Sequence, residues 1–243
     1  MYNNKKISVI IPCYNEERGL KGILENKPPF VDEVIVVDND STDNTKDIAK
    51  KYGAIIVYEK SRGYGQAYMA GLPKTTGDIV ITSDGDNSYP LSNLVTMLSY
   101  MERGDYDFVV GCRFPMVHTN AQPAINKIAN RCISWLIRVL FKINLTDSQS
   151  GMMAFKKSVL DEIKVQNTDM GFSQEMKIKA FLNPKIKCGE VHIFYLKRLG
   201  EVKFKKVNAV KNLFAVLSLF IKSAHKQKHT SSEITSEERT KVN

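Results

Sequence analysis

Residues 79–88 read IVITSDGDNS, an apolar run that ends in two carboxylates separated by one glycine. A short apolar run bounded by turn residues is typical of a buried strand, so we predict a strand at Ile79–Ser83 and a turn after it. Asp84 and Asp86 on that turn can point at one hard cation, because Mg²⁺ and Mn²⁺ prefer carboxylate oxygens. The alternative is an Asp-Gly turn with solvated acids, which an isolated Asp-x-Asp pattern usually is.

The rest of the first half alternates strand-like and helix-like segments. Further strands are predicted at Ile7–Ile11, Val34–Val37, Ala54–Tyr58 and Phe108–Gly111, and helices at Glu16–Glu25, Asp43–Lys51, Gln66–Leu72 and from Pro90. This alternation predicts an α/β protein whose mostly parallel sheet carries helices on both faces. Ligands of such sheets bind beyond the carboxyl ends of the strands.

Two more polar clusters follow the first two strands, at residues 12–16 (PCYNE) and 38–43 (DNDSTD). All three clusters should therefore lie at one edge of the sheet, which favours the metal interpretation of the acidic turn. In the second cluster we expect Ser41 and Asp43 to start the following helix. Asp38 and Asn39 are not needed there and are candidates for contacts with a base or a ribose.

The second half is predicted to contain a long helix at Ala124–Ile143, a strand at Met152–Lys156, a helix at Ser173–Leu182, a strand at Glu190–Tyr195 and an amphipathic helix at Asn208–Ser223. The long helix carries basic residues on one side and apolar residues on a broad opposite face. One interpretation is a helix whose apolar face packs on the sheet. The other is a rim where a lipid and a phosphate meet.

The net charge is +9, and the segment 197–228 alone holds nine Lys or Arg against one acid. Such an excess favours anionic partners. Nucleic acid is not expected, because no aromatic residues are interleaved with the basic run for stacking. No apolar run reaches the ~20 residues of a membrane-spanning helix, so we expect a cytoplasmic protein that contacts the membrane surface peripherally. We divide the chain into an α/β domain at 1–205, a basic amphipathic helix at 206–228 that we expect to lie in the membrane interface, and a disordered tail at 229–243.

Other chemistries lack their sequence patterns. The chain has no phosphate-binding P-loop, and Gly63-Tyr64-Gly65 lacks the third glycine of a dinucleotide fingerprint. The four cysteines and four histidines are scattered without metal-site spacing.

The ordered motifs resemble those of family 2 glycosyltransferases with the GT-A nucleotide-diphospho-sugar transferase fold. The resemblance rests on residues 9–16 (VIIPCYNE), 37–45 (VDNDSTDNT), 62–67 (RGYGQA) and 84–86 (DGD). Later motifs are similar to the dolichol-phosphate mannosyltransferase branch: residues 111–113 (GCR), 147–152 (DSQSGM) and 197–203 (KRLGEVK).

The resemblance implies roles for the matching residues. Pro12, Tyr14, Glu16 and Asp38 would hold the nucleoside, with Asn39 where the family often has a second Asp. Asp84 and Asp86 would hold Mg²⁺ or Mn²⁺, with Ser88 where the branch often has a Gln near the metal. Arg198 and Lys203 would meet the donor diphosphate or the acceptor phosphate.

The predicted reaction is inverting transfer of a hexose from a UDP- or GDP-linked donor to a polyprenyl or dolichyl phosphate. Arg113 and Arg131 are candidates for the acceptor phosphate. Asp147 is the candidate general base if one is needed, and the alternative is a loop acid before a glycine turn. A hydroxyl acceptor in glycan synthesis, or a non-catalytic binder of anionic surfaces, are the competing hypotheses.

Overall fold

The computed structural model describes residues 1–116, 121–201 and 216–221. The chain divides into two compact units, residues 1–203 and residues 204–243. The first unit contains the sheet, and in the second, residues 216–221 are helical. Lys203, the remainder of the predicted helix Asn208–Ser223 and the predicted tail at 229–243 lie outside the described residues. Within the described part, no helix is both long and apolar enough to cross a bilayer.

Among the described residues, seven strands form one sheet: β1 Ile7–Cys13, β2 Glu33–Asp38, β3 Ile55–Tyr58, β4 Ile79–Thr82, β5 Phe108–Cys112, β6 Met153–Lys156 and β7 Cys188–His192. Their order in the sheet is β3-β2-β1-β4-β6-β5-β7. Strand β6 runs antiparallel to both β4 and β5, and every other pairing is parallel. The prediction of a mostly parallel sheet is confirmed.

In the described part of the first unit, the α-helices are α1 Glu17–Glu25, α2 Thr45–Lys51, α3 Tyr64–Gly71, α4 Asn93–Arg103, α5 Ala124–Phe141, α6 Val159–Glu162 and α7 Phe172–Leu182. Helix α4 begins three residues after the predicted Pro90, because the amides of Asn93 and Leu94 first bond back to Pro90 and Leu91 in a turn. The short helix α6 has no counterpart in the sequence predictions.

Side chains of the central strand β1 alternate between two packed layers. Ile7, Val9 and Ile11 are buried in a core that also contains apolar residues of α1 and α4. Ile10 points to the other face, where α3 approaches so closely that a Cβ on Gly71 would lie 2.6 Å from the Ile10 Cδ1. Helices therefore cover both faces, as predicted, and the long apolar strand is explained by its burial on both sides.

The last strand is displaced from its prediction at Glu190–Tyr195. Parallel pairing with β5 from Cys188 to His192 fixes its position in the sheet. The chain then leaves the sheet and crosses the carboxyl edge, where the Phe194 amide donates to the Asn93 Oδ1 at 2.9 Å. Periodicity places an apolar strand but does not reveal where its hydrogen-bonding partner ends.

Candidate active site

The three polar clusters lie side by side because β2, β1 and β4 are adjacent and parallel. The first two are cross-linked: the Asn15 amide donates to the Ser41 hydroxyl at 3.0 Å, and the Glu17 amide donates to the Asp43 carboxylate at 3.1 Å. The prediction that Ser41 caps α2 is wrong, because its hydroxyl accepts a hydrogen bond from the loop before α1. Asp43 serves both helices, because its other oxygen accepts from the Thr45 amide at 3.0 Å.

The acidic turn packs directly against helix α1. A Cβ on Gly19 would lie 2.4 Å from the Gly85 carbonyl oxygen, so only glycine permits this approach. The Asp84 side chain accepts a hydrogen bond from the Tyr64 hydroxyl at 3.2 Å. Burial, together with the charge of Asp86, raises the pKa of Asp84 to about 7. The two neighbouring acids favour a bound cation, because a divalent ion would lower the pKa of Asp84 again.

Arg198 is the cation nearest to the acidic turn among the described ion pairs. Its Nη2 lies 3.3 Å from the Asp86 Oδ2 and 3.7 Å from the Glu16 Oε1. The backbone around it is fixed to the same turn, since the amides of Leu196 and Leu199 donate to the carbonyls of Ser88 and Asp86 at 2.9 and 2.8 Å. The segment after β7 therefore brings an arginine to Asp86 of the turn and to Glu16.

The donor set at the turn fits a hard divalent cation. Asp84 and Asp86 supply carboxylate oxygens, and the Ser88 Oγ is buried without a hydrogen-bond partner within the described part of the chain. Across residues 1–116, 121–201 and 216–221, no three His, Cys, Asp or Glu side chains form a complete metal cage. Mg²⁺ is commonly held by one or two carboxylates and shared with substrate phosphates, so these residues suit a metal that a diphosphate completes.

Tyr14 and Asp38, which are predicted to hold a nucleoside, lie at the ends of the adjacent strands β1 and β2. Asp38 is buried at the end of β2, and its Oδ1 accepts from the Ser41 amide at 3.1 Å. The Arg62 guanidinium lies 4.3 Å above the Tyr14 ring, donates to its hydroxyl at 2.8 Å and pairs with Asp40. Arg62 was not among the predicted site residues, although it begins the glycine loop motif.

A cavity of about 320 Å³ opens beside these groups. It is within the size range of small-molecule sites. Its walls are Tyr14, Asn15, Glu16, Glu17, Arg18, Asp43, Gly200 and Glu201. Pro12 is half-buried at the end of β1, next to this region in sequence.

Asn39 contacts the protein's own backbone. Its Nδ2 donates to the carbonyls of Glu59 and Ser61, both at 2.8 Å, and its Oδ1 accepts from the Gly63 amide at 2.9 Å. Both amide hydrogens are therefore used inside the protein. Asn39 therefore holds the glycine loop, and its contact with a base or ribose stays a prediction.

Arg113 and Asp147 form a buried, two-point ion pair. The Arg113 Nε and Nη2 donate to the two Asp147 oxygens at 2.7 and 2.8 Å, and the Arg113 amide adds a bond at 3.0 Å. Burial alone raises the pKa of Asp147, but the charge and hydrogen bonds of Arg113 outweigh it and hold the pKa below its usual value. A carboxylate with a low pKa and occupied oxygens is a poor general base.

Two more residues fix the loop that carries Asp147. The Glu190 carboxylate accepts from the amides of Thr146 and Asp147 at 2.8 and 2.7 Å. The side-chain Nζ of Lys177, which is fully buried, donates to the Ser150 carbonyl. No sequence pattern distinguishes Lys177 from surface lysines, so this support was missed.

The two arginines predicted at the acceptor phosphate both lie beside Phe114. Their guanidinium carbons are 5.9 Å (Arg113) and 5.4 Å (Arg131) from its ring centroid. Arg113 is 3% exposed, whereas Arg131 is exposed on α5. The structure thus brings them together but leaves only Arg131 open to solvent.

The chain is similar to known glycosyltransferases in sequence. The family model described as Glycosyl transferase family 2 matches residues 8–164. A dolichyl-phosphate hexose transferase of Haloferax volcanii is 31% identical over 206 residues, which cover 83% of this chain and 88% of that protein. The low-salt glycan biosynthesis hexosyltransferase Agl6 of the same organism is 29% identical over 86% of this chain, and the match spans 55% of its own length.

Among solved structures, glucosyl-3-phosphoglycerate synthase of Mycobacterium tuberculosis, in complex with Mn²⁺, UDP and phosphoglyceric acid, superposes with a TM-score of 0.71. It is 21% identical, and the match covers 89% of this chain and 78% of that one. This likeness establishes the GT-A fold. The chain belongs to glycosyltransferase family 2 and is a glycosyltransferase of the GT-A fold.

Proposed function

We propose that this glycosyltransferase moves a hexose from a UDP- or GDP-linked donor to a polyprenyl or dolichyl phosphate, with inversion and with Mg²⁺ or Mn²⁺. The proposal rests chiefly on one observation, the convergence of Asp84, Asp86 and Arg198 at the carboxyl edge of the sheet. The name of the dolichyl-phosphate hexose transferase relative supports the acceptor class. The protein would act from the cytoplasm as a peripheral membrane protein.

On the donor side, Asp84 and Asp86 would hold the metal, with Ser88 beside them. The bound ion would neutralise charge on the donor diphosphate as the sugar–phosphate bond breaks. Arg198 lies 3.3 Å from Asp86, so its guanidinium can bind the same leaving diphosphate. Removing one such preorganised contact typically costs about 2.7–4 kcal/mol of transition-state stabilisation.

The nucleoside would bind at the neighbouring loops. Tyr14 offers an aromatic face, Asp38 a buried carboxylate, and Arg62 a guanidinium already held over the Tyr14 ring. Pro12 and Glu16 line the same end of β1. These residues suit a nucleotide without distinguishing uracil from guanine.

On the acceptor side, the nucleophile would be a phosphate oxygen. The second pKa of a phosphate monoester is about 6, so the acceptor is largely ionised near neutral pH and needs no general base. This agrees with an Asp147 whose oxygens are occupied by Arg113. The exposed Arg131 is then the better candidate for the acceptor phosphate, with Lys203 as a second.

The test is a donor screen with a matched pair of acceptors. Radiolabelled UDP- and GDP-hexoses are incubated with Mn²⁺ and either a polyprenyl phosphate or the corresponding polyprenol, and label is followed into the organic phase. We expect transfer only to the phosphate, and loss of that transfer in Asp86→Asn. Equal transfer to the polyprenol, or transfer only to a glycan hydroxyl, would contradict the proposed acceptor.

A further inference from the structure

Helix α5 presents a stripe of apolar side chains to solvent. Ile125, Ile128, Trp135 and Val139 are 71%, 59%, 63% and 53% exposed, and Cys132 is exposed between them. Their spacing of three and four residues places them on one side of the helix, within about 80° of its circumference. Of the two interpretations of this helix, packing of the whole apolar face on the sheet is therefore wrong.

The opposite side of α5 packs against the protein and contacts the loop that carries Asp147. Its buried residues are Ser134, Ile137 and Phe141. The Ser134 hydroxyl accepts from the Ser148 amide at 3.0 Å, directly beside Asp147. The exposed stripe is thus carried by a helix anchored to the loop that holds Arg113.

A row of basic residues flanks the stripe. Lys127, Arg131, Arg138 and Lys142 follow one another along the neighbouring side of the helix, and Arg131, Arg138 and Lys142 are exposed. The sequence from Pro115 to Thr146 contains no Asp or Glu. An apolar stripe beside a basic row is the pattern of a helix that lies in the interface of an anionic bilayer.

We propose that α5 docks this protein on an anionic membrane surface, with Ile125, Ile128, Trp135 and Val139 in the interface and the basic row at the headgroups. This proposal rests on the proposed function, because a lipid acceptor is what would require the enzyme to reach a membrane. It develops the lipid interpretation of this helix, and it stands beside the prediction of a membrane contact for residues 206–228, most of which lie outside the described part of the chain.

Charge argues against two other occupants of the stripe. Residues 206–228 contain five lysines and no acid. Their charge therefore has the same sign as the basic row of α5 and would repel it. A second copy packed through the same helix would bring two such rows together, because a two-fold interface uses the same patch on both subunits. Anionic lipid is the partner whose charge is complementary.

Docking through α5 would place the active site next to the headgroup region of the membrane, where the acceptor phosphate lies. Arg131 belongs to the basic row and lies over Phe114, which Arg113 also contacts. A lipid phosphate at headgroup depth would meet Arg131 without leaving the membrane. The same helix would then position the enzyme and bind its acceptor.

The wild-type chain contains its own probe, because Trp135 is the only tryptophan. Trp fluorescence is recorded as phosphatidylcholine vesicles with and without phosphatidylglycerol are added, followed by vesicles containing brominated lipids. We expect a shift to shorter wavelength and bromine quenching with anionic vesicles, both weaker at high salt. Binding to the vesicles is measured in parallel by flotation. Binding without any change in Trp135 fluorescence, or no binding at all, would overturn the proposal.

Two matched substitutions separate docking from folding. Val139→Glu places a charge in the stripe, and Val95→Glu does the same at a comparably exposed position, 48%, on α4. We expect Val139→Glu to weaken vesicle binding at least roughly tenfold, since burial of one valine corresponds to about that factor. Val95→Glu should bind as wild type, and equal loss in both variants would contradict a specific role for α5.

The acceptor assay distinguishes failure of this proposal from failure of the proposed function. Val139→Glu should lose transfer to polyprenyl phosphate in vesicles but retain transfer to a short, water-soluble prenyl phosphate. Unchanged transfer to the vesicle acceptor would contradict the docking. If wild type uses neither acceptor while Trp135 still enters anionic vesicles, the docking stands and the proposed acceptor is wrong.

Discussion

Both carboxylate oxygens of Asp147 accept hydrogen bonds from the guanidinium of Arg113, at 2.7 and 2.8 Å, and both side chains are buried. A buried ion pair adds little net stability compared with an apolar pair, but removal of one partner leaves an uncompensated charge in a low-dielectric interior. The pair is therefore a sensitive point for folding.

We predict that Arg113→Met lowers the free energy of unfolding by about 3–5 kcal/mol. Urea denaturation followed by circular dichroism measures the change. Arg103→Met is the control, because Arg103 is exposed at the end of α4 and should change stability by less than about 1 kcal/mol. A value for Arg113→Met as small as that of the control would show that the pair does not stabilise the loop.

Asp147→Asn tests whether this carboxylate is a base. If the acceptor phosphate is the nucleophile, the acidic limb of the kcat profile follows the second ionisation of that phosphate, at about pH 6. The variant should then keep the wild-type acidic limb, although it folds less stably. A profile that becomes flat below neutrality, with kcat reduced throughout, would restore Asp147 as the general base.

Tyr64→Phe tests the orientation of the first acid of the turn. The Tyr64 hydroxyl donates to the Asp84 Oδ1 at 3.2 Å, and loss of a hydrogen bond to a metal-ligating carboxylate typically weakens metal affinity about 10–100-fold. We expect the Mn²⁺ concentration for half-maximal transfer to rise by about that factor. Tyr52→Phe removes a similar bond, to Glu25 on the surface, and should leave the Mn²⁺ requirement unchanged. Equal requirements in the two variants would remove Tyr64 from the site.

Lys177 gives a pH dependence with a definite sign. Burial lowers its pKa to about 7, below the ordinary value of about 10.4. Between these values the unfolded chain binds the proton and the folded chain does not, so the contribution of Lys177 makes stability rise with pH from about 7 to 10. Lys177→Met should flatten the slope of Tm against pH in this window, while Lys179→Met, half-buried on the same helix, should not. An unchanged slope would contradict the buried, proton-free amine.

The sequence was sufficient for the parts of the fold that depend on local pattern. The buried runs at Ile7–Cys13 and Ile79–Thr82 are followed by polar residues, and parallel pairing must bring such ends to one edge. Asp84 and Asp86 could therefore be placed together with the Tyr14 and Asp38 loops from the sequence alone.

Other features depend on packing between distant parts of the chain. Arg113 and Asp147 are 34 residues apart, and Lys177 reaches Ser150 from another helix. Helix α5 illustrates the limit of periodicity, which groups Ile128, Trp135 and Val139 on one side but does not reveal whether that side faces protein or solvent. Here the protein-facing side is completed by Ser134 and Phe141.

Metal removal tests the central claim, that Asp84 and Asp86 share one divalent ion with the donor diphosphate. The initial rate of sugar transfer is measured in wild type with Mn²⁺, after addition of EDTA in excess, and after Mn²⁺ is restored. We expect the rate to fall to background in EDTA and to recover with Mn²⁺, and the Asp86→Asn variant to stay at background throughout. Transfer at the same rate in EDTA as in Mn²⁺ would contradict the claim.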